Sequence, residues 1–592
     1  MLLSERNAAG QLIEQQDEAG TVRRAFDAEG RVVSVKEDGK DTKRRSYDLL
    51  GRIVSSTDQY GNTLQYTYDA GGRLATLVYP DGKTVRYTYD LAGQLTMVTD
   101  WAGRITRYTY DENYRLIRTE RPNGTVEQRH YDAAGQLLRL WDQNAQGVML
   151  QQYRFVYNEL GQIIQEEEKQ YTYDALRRLT SGAMAGRKIL YTYDQGGNIT
   201  AIGDSASSLA TAMTYAKDNR LDTVDGQPVQ YDEDGNLLLL PGKQQPETYA
   251  YDVRNRLVRA GQARYTYDAE YVRTPMTWNG KTTRYVVDQN ADLTQVLMEL
   301  EESGTARAYY VYGLGLIGRE DAQGDYLSYH ADTRGSTTLL TDEHGRVTDR
   351  YTYGLYGELE VHEGRTKQPF CYNGRDGVMT DPNGLYYMRA RYYHPGLKRF
   401  LNRDVLQGDM TDGQTFNRFA YVNGDPIGFI DPLGLMKCKE GTGKSSKSKF
   451  EFDYDTEREL GIKRITDEFG GMIESVGNRS KTLNPKEIRF MQSSISNKTG
   501  QYTVLDNAKA FSENPSKIFE LNPIRVWQDG KGNIWTLDHR RLGAARLADL
   551  DKIPVQWASK AEVYQDAWKF STRVDGKSIA LKIGKGLKEV IE

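Results

Sequence analysis

Tyr66-Thr67-Tyr68-Asp69-Ala70-Gly71-Gly72-Arg73-Leu74 is one copy of a unit that recurs along most of the chain. Tyr66 and Tyr68 flank Thr67, so the two rings fall on one face of an extended strand and the threonine on the other, following a two-residue period. Asp69-x-x-Gly72 supplies turn chemistry: a short carboxylate that bonds nearby backbone, and a glycine that accepts positive φ. The same unit stands at Phe26-Asp27, Tyr47-Asp48, Tyr68-Asp69, Tyr89-Asp90, Tyr110-Asp111 and Tyr131-Asp132, with a constant period of 21 residues. A fixed period of this kind marks a repeat architecture, with one hairpin per repeat. Less regular copies follow at Tyr173-Asp174, Tyr193-Asp194, Tyr231-Asp232, Tyr251-Asp252 and Tyr267-Asp268. A lone hairpin is marginal in water, so successive hairpins are predicted to pair edge to edge into one long, coiling sheet. The 42 tyrosines suit such a sheet, because each pairs a broad apolar ring with a hydroxyl that tolerates water; even a sheet with two wet faces could then pack.

At 592 residues the chain exceeds one compact core, so at least two domains are expected. Only 38% of its residues are hydrophobic, and no window approaches the roughly 18 uninterrupted apolar residues of a membrane helix. The N-terminus has no apolar signal-peptide core, so the chain reads as soluble and made in the cytoplasm. The net charge of −4 is unevenly distributed: residues from Met436 onward carry +6 and those before it −10. A mildly basic tail suits a nucleic-acid or nucleotide partner, or equally a solvated surface behind a basic linker. Cys371 and Cys438 resemble neither a disulfide framework nor a metal cluster. The predicted class is mainly β: a repeat shell over 1–370, a shell terminus over 371–435, a basic linker over 436–449, and a small α+β domain over 450–592.

Residues ~20–435 resemble the Rhs/YD-repeat family, which includes toxin-complex C subunits and teneurin shells. Besides the repeats, Gly335-Ser336-Thr337, Thr341-Asp342 and Gly345-Arg346-Val347 are similar to one family block, and Arg389-Ala390-Arg391-Tyr392-Tyr393 with Arg399-Phe400-Leu401 to the core terminus. The resemblance implies a hollow β-cocoon that encloses the C-terminal polypeptide.

It also implies self-cleavage after D-P-x-G-L, here Asp431-Pro432-Leu433-Gly434-Leu435, with scission between Leu435 and Met436. Asp404, following Arg403, occupies the position of the family's first catalytic aspartate, although Val405 replaces the usual proline. Asp412 fits a variant in which a second aspartate precedes the Asn417-Arg418-Phe419 run, Asp431 would recognise or support the cut, and Arg403 would steady the charged pair. The chemistry is that of aspartic proteases: two carboxylates held close cannot both ionise, so one keeps a proton while the other activates water. The bland alternative is that these aspartates only cap turns.

Gly441-Thr442-Gly443-Lys444-Ser445 imitates a phosphate loop, but Cys438 stands where its first glycine should be and no strand precedes it. The tail holds a single histidine, His539, which excludes two-histidine zinc sites there. From Pro523 the tail reads as strand, tight turn at Asp529-Gly530-Lys531-Gly532, returning strand, polar loop, short helix and a strand at Ile553-Pro554-Val555. The loop Asp538-His539-Arg540-Arg541 opens the helix, where free N–H groups and the dipole favour phosphate and two arginines could clamp one. This segment resembles the ParB/sulfiredoxin-like superfamily, with His539, Arg541, Leu542, Ala544, Ala545, Ile553, Pro554 and Val555 on matching positions; Leu537 and Asp538 depart from its pattern. A nuclease reading makes His539 a general acid or base and Asp538 a metal ligand or water activator, with Arg540, Arg541, Arg546, Arg489 and Gln492 as phosphate ligands. No metal is certain; a divalent ion is the cofactor that reading would call for. The alternative is that Asp538 caps the helix and the arginines form surface pairs.

Together these point to an Rhs-type antibacterial toxin delivered into a competitor cell. Its expected partners are an immunity protein, a secretion-spike or delivery protein, and nucleic acid or nucleotide in the target. Two rivals remain: a non-enzymatic adhesion or carrier protein with a nucleotide- or DNA-binding tail, and a tail that transfers a group onto protein or RNA.

Overall fold

The computed structural model describes residues 3–437 apart from 8, 185, 208–209, 243–244, 409–411 and 436. In the tail it describes 482–490, 494–496, 498–499, 502–520, 523–528, 534–536, 538–557, 579–584 and 587–591. The chain divides into two compact units, Met1–Glu451 and Phe452–Glu592.

In the first unit, 23 strands from Leu3–Arg6 to Gln227–Pro228 and 14 more from Gln230–Tyr231 to Leu359–Glu363 follow one another in chain order, each antiparallel to its neighbours in its sheet. The Y-D motif is the lock between repeats. The Asp69 carboxylate accepts from Arg73 N at 2.9 Å and from Arg73 Nε at 2.7 Å, which closes the turn around Gly72 at φ 80°. Arg73 then reaches into the next repeat, donating from Nη1 to Asp90 O at 3.0 Å and lying 4.8 Å from the centre of the Tyr89 ring. The Tyr89 hydroxyl closes the loop by donating to Leu74 O at 3.0 Å. The same arginine-on-tyrosine step recurs at Arg31–Tyr47, Arg52–Tyr68 and Arg115–Tyr131. Asp, Arg and the second tyrosine are therefore one cooperative element, which explains why they recur together.

The regular Y-D hairpins shift register by one residue at the second tyrosine, as at Ser46/Tyr47, Thr67/Tyr68 and Thr109/Tyr110, and such bulges strengthen the twist that coils the sheet. Along Thr63–Tyr68, Leu64 and Tyr66 are buried while Gln65 and Thr67 face solvent, so the sheet has one dry face rather than two wet ones. The dry faces merge into one apolar cluster running from Leu64 to Ile427.

The coil closes on itself along a polar seam between an earlier and a later turn. Arg254 pairs with Asp17 at 2.7 Å, Arg45 with Glu270, Tyr66 with Asp288 at 2.8 Å, Arg104 with Glu320, and His330 with Asp142 at 2.8 Å. The sequence separation across the seam falls from 237 residues at Asp17–Arg254 to 168 at Glu166–Arg334. Between these two pairs the later turn therefore advances by fewer residues than the earlier one.

In the second unit, strands Thr482–Leu483, Ile553–Trp557, Ile524–Gln528, Ile534–Thr536 and Ile488–Phe490 lie in that order in a mixed sheet. Helices Val504–Glu513 and His539–Leu547 share its core, in which Val504, Phe511, Val526, Leu542, Ala545 and Ile553 are buried. The first helix starts with a capping box between Thr503 and Asp506. Among the described residues no helix is long and apolar enough to cross a membrane.

Candidate functional site

Residues 371–435 pack partly on repeats that break the pattern. Asn198 and Asn236 stand where regular repeats carry arginine. Asn417 Nδ2 donates to Asn198 Oδ1 at 2.8 Å, Asn236 bridges Asn402, and Leu237 N donates to Leu401 O at 3.1 Å. A short amide leaves room at these two turns for the docked terminus, where arginine would reach on to the next repeat.

At the centre of this terminus lies Arg391, buried and stacked over Phe400 at 3.6 Å. Its Nη2 is 2.7 Å from Asp404 Oδ2 and 3.7 Å from Asp431 Oδ2. Its Nη1 donates to Arg418 O at 2.8 Å and its Nε to the Gly434 carbonyl. One guanidinium thus gathers two of the sequence-predicted aspartates and the residue just before Leu435. Burial pushes the Asp404 carboxyl above its ordinary range, opposed by the charge of Arg391, while burial pulls the Arg391 guanidinium down. Asp404 Oδ1 accepts from Leu406 N at 2.8 Å, and Asp431 Oδ1 from Leu435 N at 3.0 Å.

The other two predicted residues sit elsewhere. Arg403 turns to Asp218 at 3.3 Å, so the charge beside Asp404 comes from Arg391 instead. Asp412 accepts from Gln414 N at 3.2 Å, capping a short turn, and holds Lys437 at 3.3 Å, on the far side of the Leu435–Met436 bond. Met436 itself lies outside the described residues, as do Cys438 and the rest of the 438–449 linker segment. Cys371 is buried, and burial pushes its thiol up to about 12.

In the tail, Asp538 precedes helix His539–Leu547 without a side-chain cap bond. Its carboxylate accepts from Arg525 N at 2.8 Å and from the Arg525 guanidinium at 3.1 and 3.2 Å, and pairs with Arg541 at 2.8 Å. Although burial opposes it, these arginines hold the carboxyl below its ordinary range. Arg489 lies 5.5 Å from the centre of the Trp535 ring. Arg546 is buried and donates to the carbonyls of Pro485 at 3.0 Å and Ile488 at 2.5 Å, so it ties the helix to the neighbouring chain; burial brings its guanidinium down to about 10. Gln492, Leu537 and the 529–533 turn lie outside the described residues, as do the side chains of His539 and Arg540. Among the described residues no group of three or more His, Cys, Asp or Glu is placed to hold a metal.

The family model described as Teneurin YD-shell matches residues 4–103, 83–169 and 162–427. The chain belongs to the Teneurin YD-shell family.

Among curated relatives, the tRNA3(Ser)-specific nuclease WapA of Bacillus spizizenii is 30% identical over 263 residues, covering 42% of this chain and 11% of the relative. Double-stranded DNA deaminase toxin A of Burkholderia cenocepacia is 26% identical over 308 residues, covering 48% of this chain and 21% of the relative. The chain thus spans a minor part of the length of either. The Photorhabdus luminescens Tc holotoxin pore shares the fold, with a TM-score of 0.59 at 20% identity over 74% of this chain and 27% of that one.

In this YD-shell the motifs point to Asp404 and Asp431, while Arg391 stands out in the sequence only as part of the Arg389-Ala390-Arg391 motif. The signal was present as an arginine in an otherwise aromatic, buried strand, a position that demands an anionic partner. In the sequence Arg525 belongs only to a strand; its meeting with Asp538 depends on the pairing of Ile524–Gln528 with Ile534–Thr536, which brings the two residues together.

Proposed function

We propose that this YD-shell is an Rhs-type polymorphic toxin that cuts itself after Leu435 and frees residues 436–592 as the toxic domain. The observation that carries this reading is the convergence of Asp404, Asp431 and the Gly434 carbonyl on Arg391. In the proposed reaction a water oxygen adds to the Leu435 carbonyl carbon as one carboxylate takes its proton. The protonated partner gives a proton to the amide nitrogen, the C–N bond breaks, and a Leu435 carboxylate and a Met436 amine result. Asp404, whose buried carboxyl keeps its proton more readily, is the proton carrier. The second carboxylate is Asp431, which shares Arg391; Asp412, gripping Lys437 beyond the bond, is the other candidate and holds the leaving segment. Intact mass measurement tests the reading: a product beginning at Met436 is expected, and a chain that stays full length overturns it.

For the freed domain we propose action on nucleic acid or a nucleotide, supported by the basic tail, the likeness to the ParB/sulfiredoxin pattern and the nuclease and deaminase relatives. Asp538, neutralised by Arg525 and Arg541, does not fit a metal ligand, so no step is assigned to a divalent ion. Arg541 and the N-terminal turn of its helix are the proposed phosphate site, with His539 and Arg540 in the same turn. Before cleavage the shell would shield this domain, with an immunity protein and a delivery partner completing the system. Purified tail incubated with plasmid DNA or RNA is expected to degrade or modify one of them, and Arg541→Ala to slow this ~10-fold or more by weakening a charged phosphate contact. Toxicity with both nucleic acids unaltered would remove the nucleic-acid reading.

A further inference from the structure

Asp431–Leu435 lies along the turn that joins strands Tyr386–Met388 and Arg391–His394. Three consecutive residues of that turn take three consecutive carbonyls of the cleavage segment. Arg389 Nη1 donates to Pro432 O at 2.5 Å, Ala390 N to Leu433 O at 3.1 Å, and Arg391 Nε to Gly434 O. Arg389 is rigid: it has φ 58°, its Nε donates to Thr294 Oγ1 at 2.8 Å, and its Nη2 donates to Thr294 O at 2.7 Å and Asp376 O at 2.8 Å. None of those partners belongs to the carboxylate cluster. On the other side Gly434 has φ 68°, and a Cβ there would lie 2.5 Å from Met388 O and 3.0 Å from Arg391 N. The close partners are backbone atoms of the turn, which cannot step aside. Leu433 is only partly buried, whereas Leu435 is buried at 7% exposure.

We propose that the Arg389-Ala390-Arg391 turn is the specificity-determining element of the cleavage, an inference that rests on the self-cleavage reading above. The turn reads main chain rather than side chains at 432–434. It requires glycine at 434 because only a residue without Cβ lets the carbonyls reach their donors, it tolerates variation at 433, and it delivers Leu435 to the carboxylates in one register. Arg389 is a positioning residue, since it touches neither carboxylate; its part is to fix the Pro432 end of the segment. Losing one of three anchors frees the segment to slide, and a misplacement of about 1 Å costs ~100-fold in rate.

The test follows processing of the newly synthesised full chain over time by intact mass, in the wild type and in Leu433→Ala, Gly434→Ala, Arg389→Lys and Arg389→Ala. Leu433→Ala is expected within ~2-fold of wild type, and Gly434→Ala and Arg389→Ala slower by ~100-fold. Arg389→Ala is also expected to yield product termini on either side of Met436, a loss of fidelity that mere destabilisation would not produce. Arg389→Lys restores the charge but not the fork that spans Thr294 and Pro432, so it is expected to stay slow. Each variant is also made with Asp404→Asn, and an unchanged melting temperature in that uncleaved background excludes misfolding as the cause. Wild-type rate and fidelity in Arg389→Ala, or equal slowing by Leu433→Ala and Gly434→Ala, would overturn the assignment. A wild-type chain that is never cut would instead remove the reaction itself, and the assignment with it.

Discussion

Asp404→Asn is expected to leave the chain as a single full-length species under conditions where the wild type yields a fragment beginning at Met436. Asparagine keeps the shape and can still accept from Leu406 N, so the turn survives. It can neither release nor take a proton, and it no longer balances the buried Arg391 charge. Loss of a positioned acid–base group costs ~10²–10⁴-fold in rate, enough to turn complete processing into none on the scale of an expression experiment. Asp431→Asn should be as severe if Asp431 is the partner carboxylate, and Asp412→Asn should then only slow release through Lys437. The reverse order would transfer the second role to Asp412. Because burial raises Asp404 above its ordinary value of 3.8 and it must hold a proton to act, the alkaline limb of the cleavage rate should lie above that value rather than at it. Wild-type processing of Asp404→Asn on a denaturing gel would end the assignment.

The period of 21 made the hairpins legible because every contact that builds them is local: Asp69 meets Arg73 four residues on, and Arg73 meets Tyr89 in the next repeat. The seam was not legible, since Tyr66 and Asp288 lie 222 residues apart and nothing in either neighbourhood names the other. At the Asp431–Leu435 segment, the motifs point to Asp404 and Asp431, whereas Arg403 as the steadying charge rests only on its adjacency to Asp404 in the chain. Neighbours in an extended segment point to opposite sides, so Arg403 faces Asp218 while Arg391 comes across from another strand. In the tail, the order of two strands, a helix and a third strand is readable from hydrophobic spacing. The partners of Asp538 and Arg546 are not, because Arg525 and the Pro485 and Ile488 carbonyls reach them through sheet pairing and helix packing.

Asp142→Ala is expected to cost the shell about 3–5 kcal/mol, the loss typical when one partner of a buried ion pair is removed and the other is left uncompensated. Asp142 is fully buried at the seam, where it accepts from Arg121 at 2.8 Å and Gln151 at 2.8 Å and pairs with His330 at 2.8 Å. The substitution leaves Arg121 beside Glu127 alone and opens a void between two turns of the spiral. The same cluster sets a pH dependence. Burial, reinforced by the Arg121 charge, holds His330 below the ordinary imidazole value of 6.5, so as pH falls the unfolded chain takes up this proton first and seam stability declines below about 6.5. Asp142 is driven upward by burial but held below the ordinary carboxylate value of 3.8 by Arg121 and His330; its contribution is complete above that value and is lost at more acid pH. Urea unfolding of the shell at pH 7 and pH 5 should therefore show a drop in midpoint for the wild type and a smaller one for His330→Gln, which cannot take up a proton. An Asp142→Ala midpoint equal to wild type at pH 7 would mean that the seam does not carry the spiral, and that the hairpin locks alone keep the coil closed.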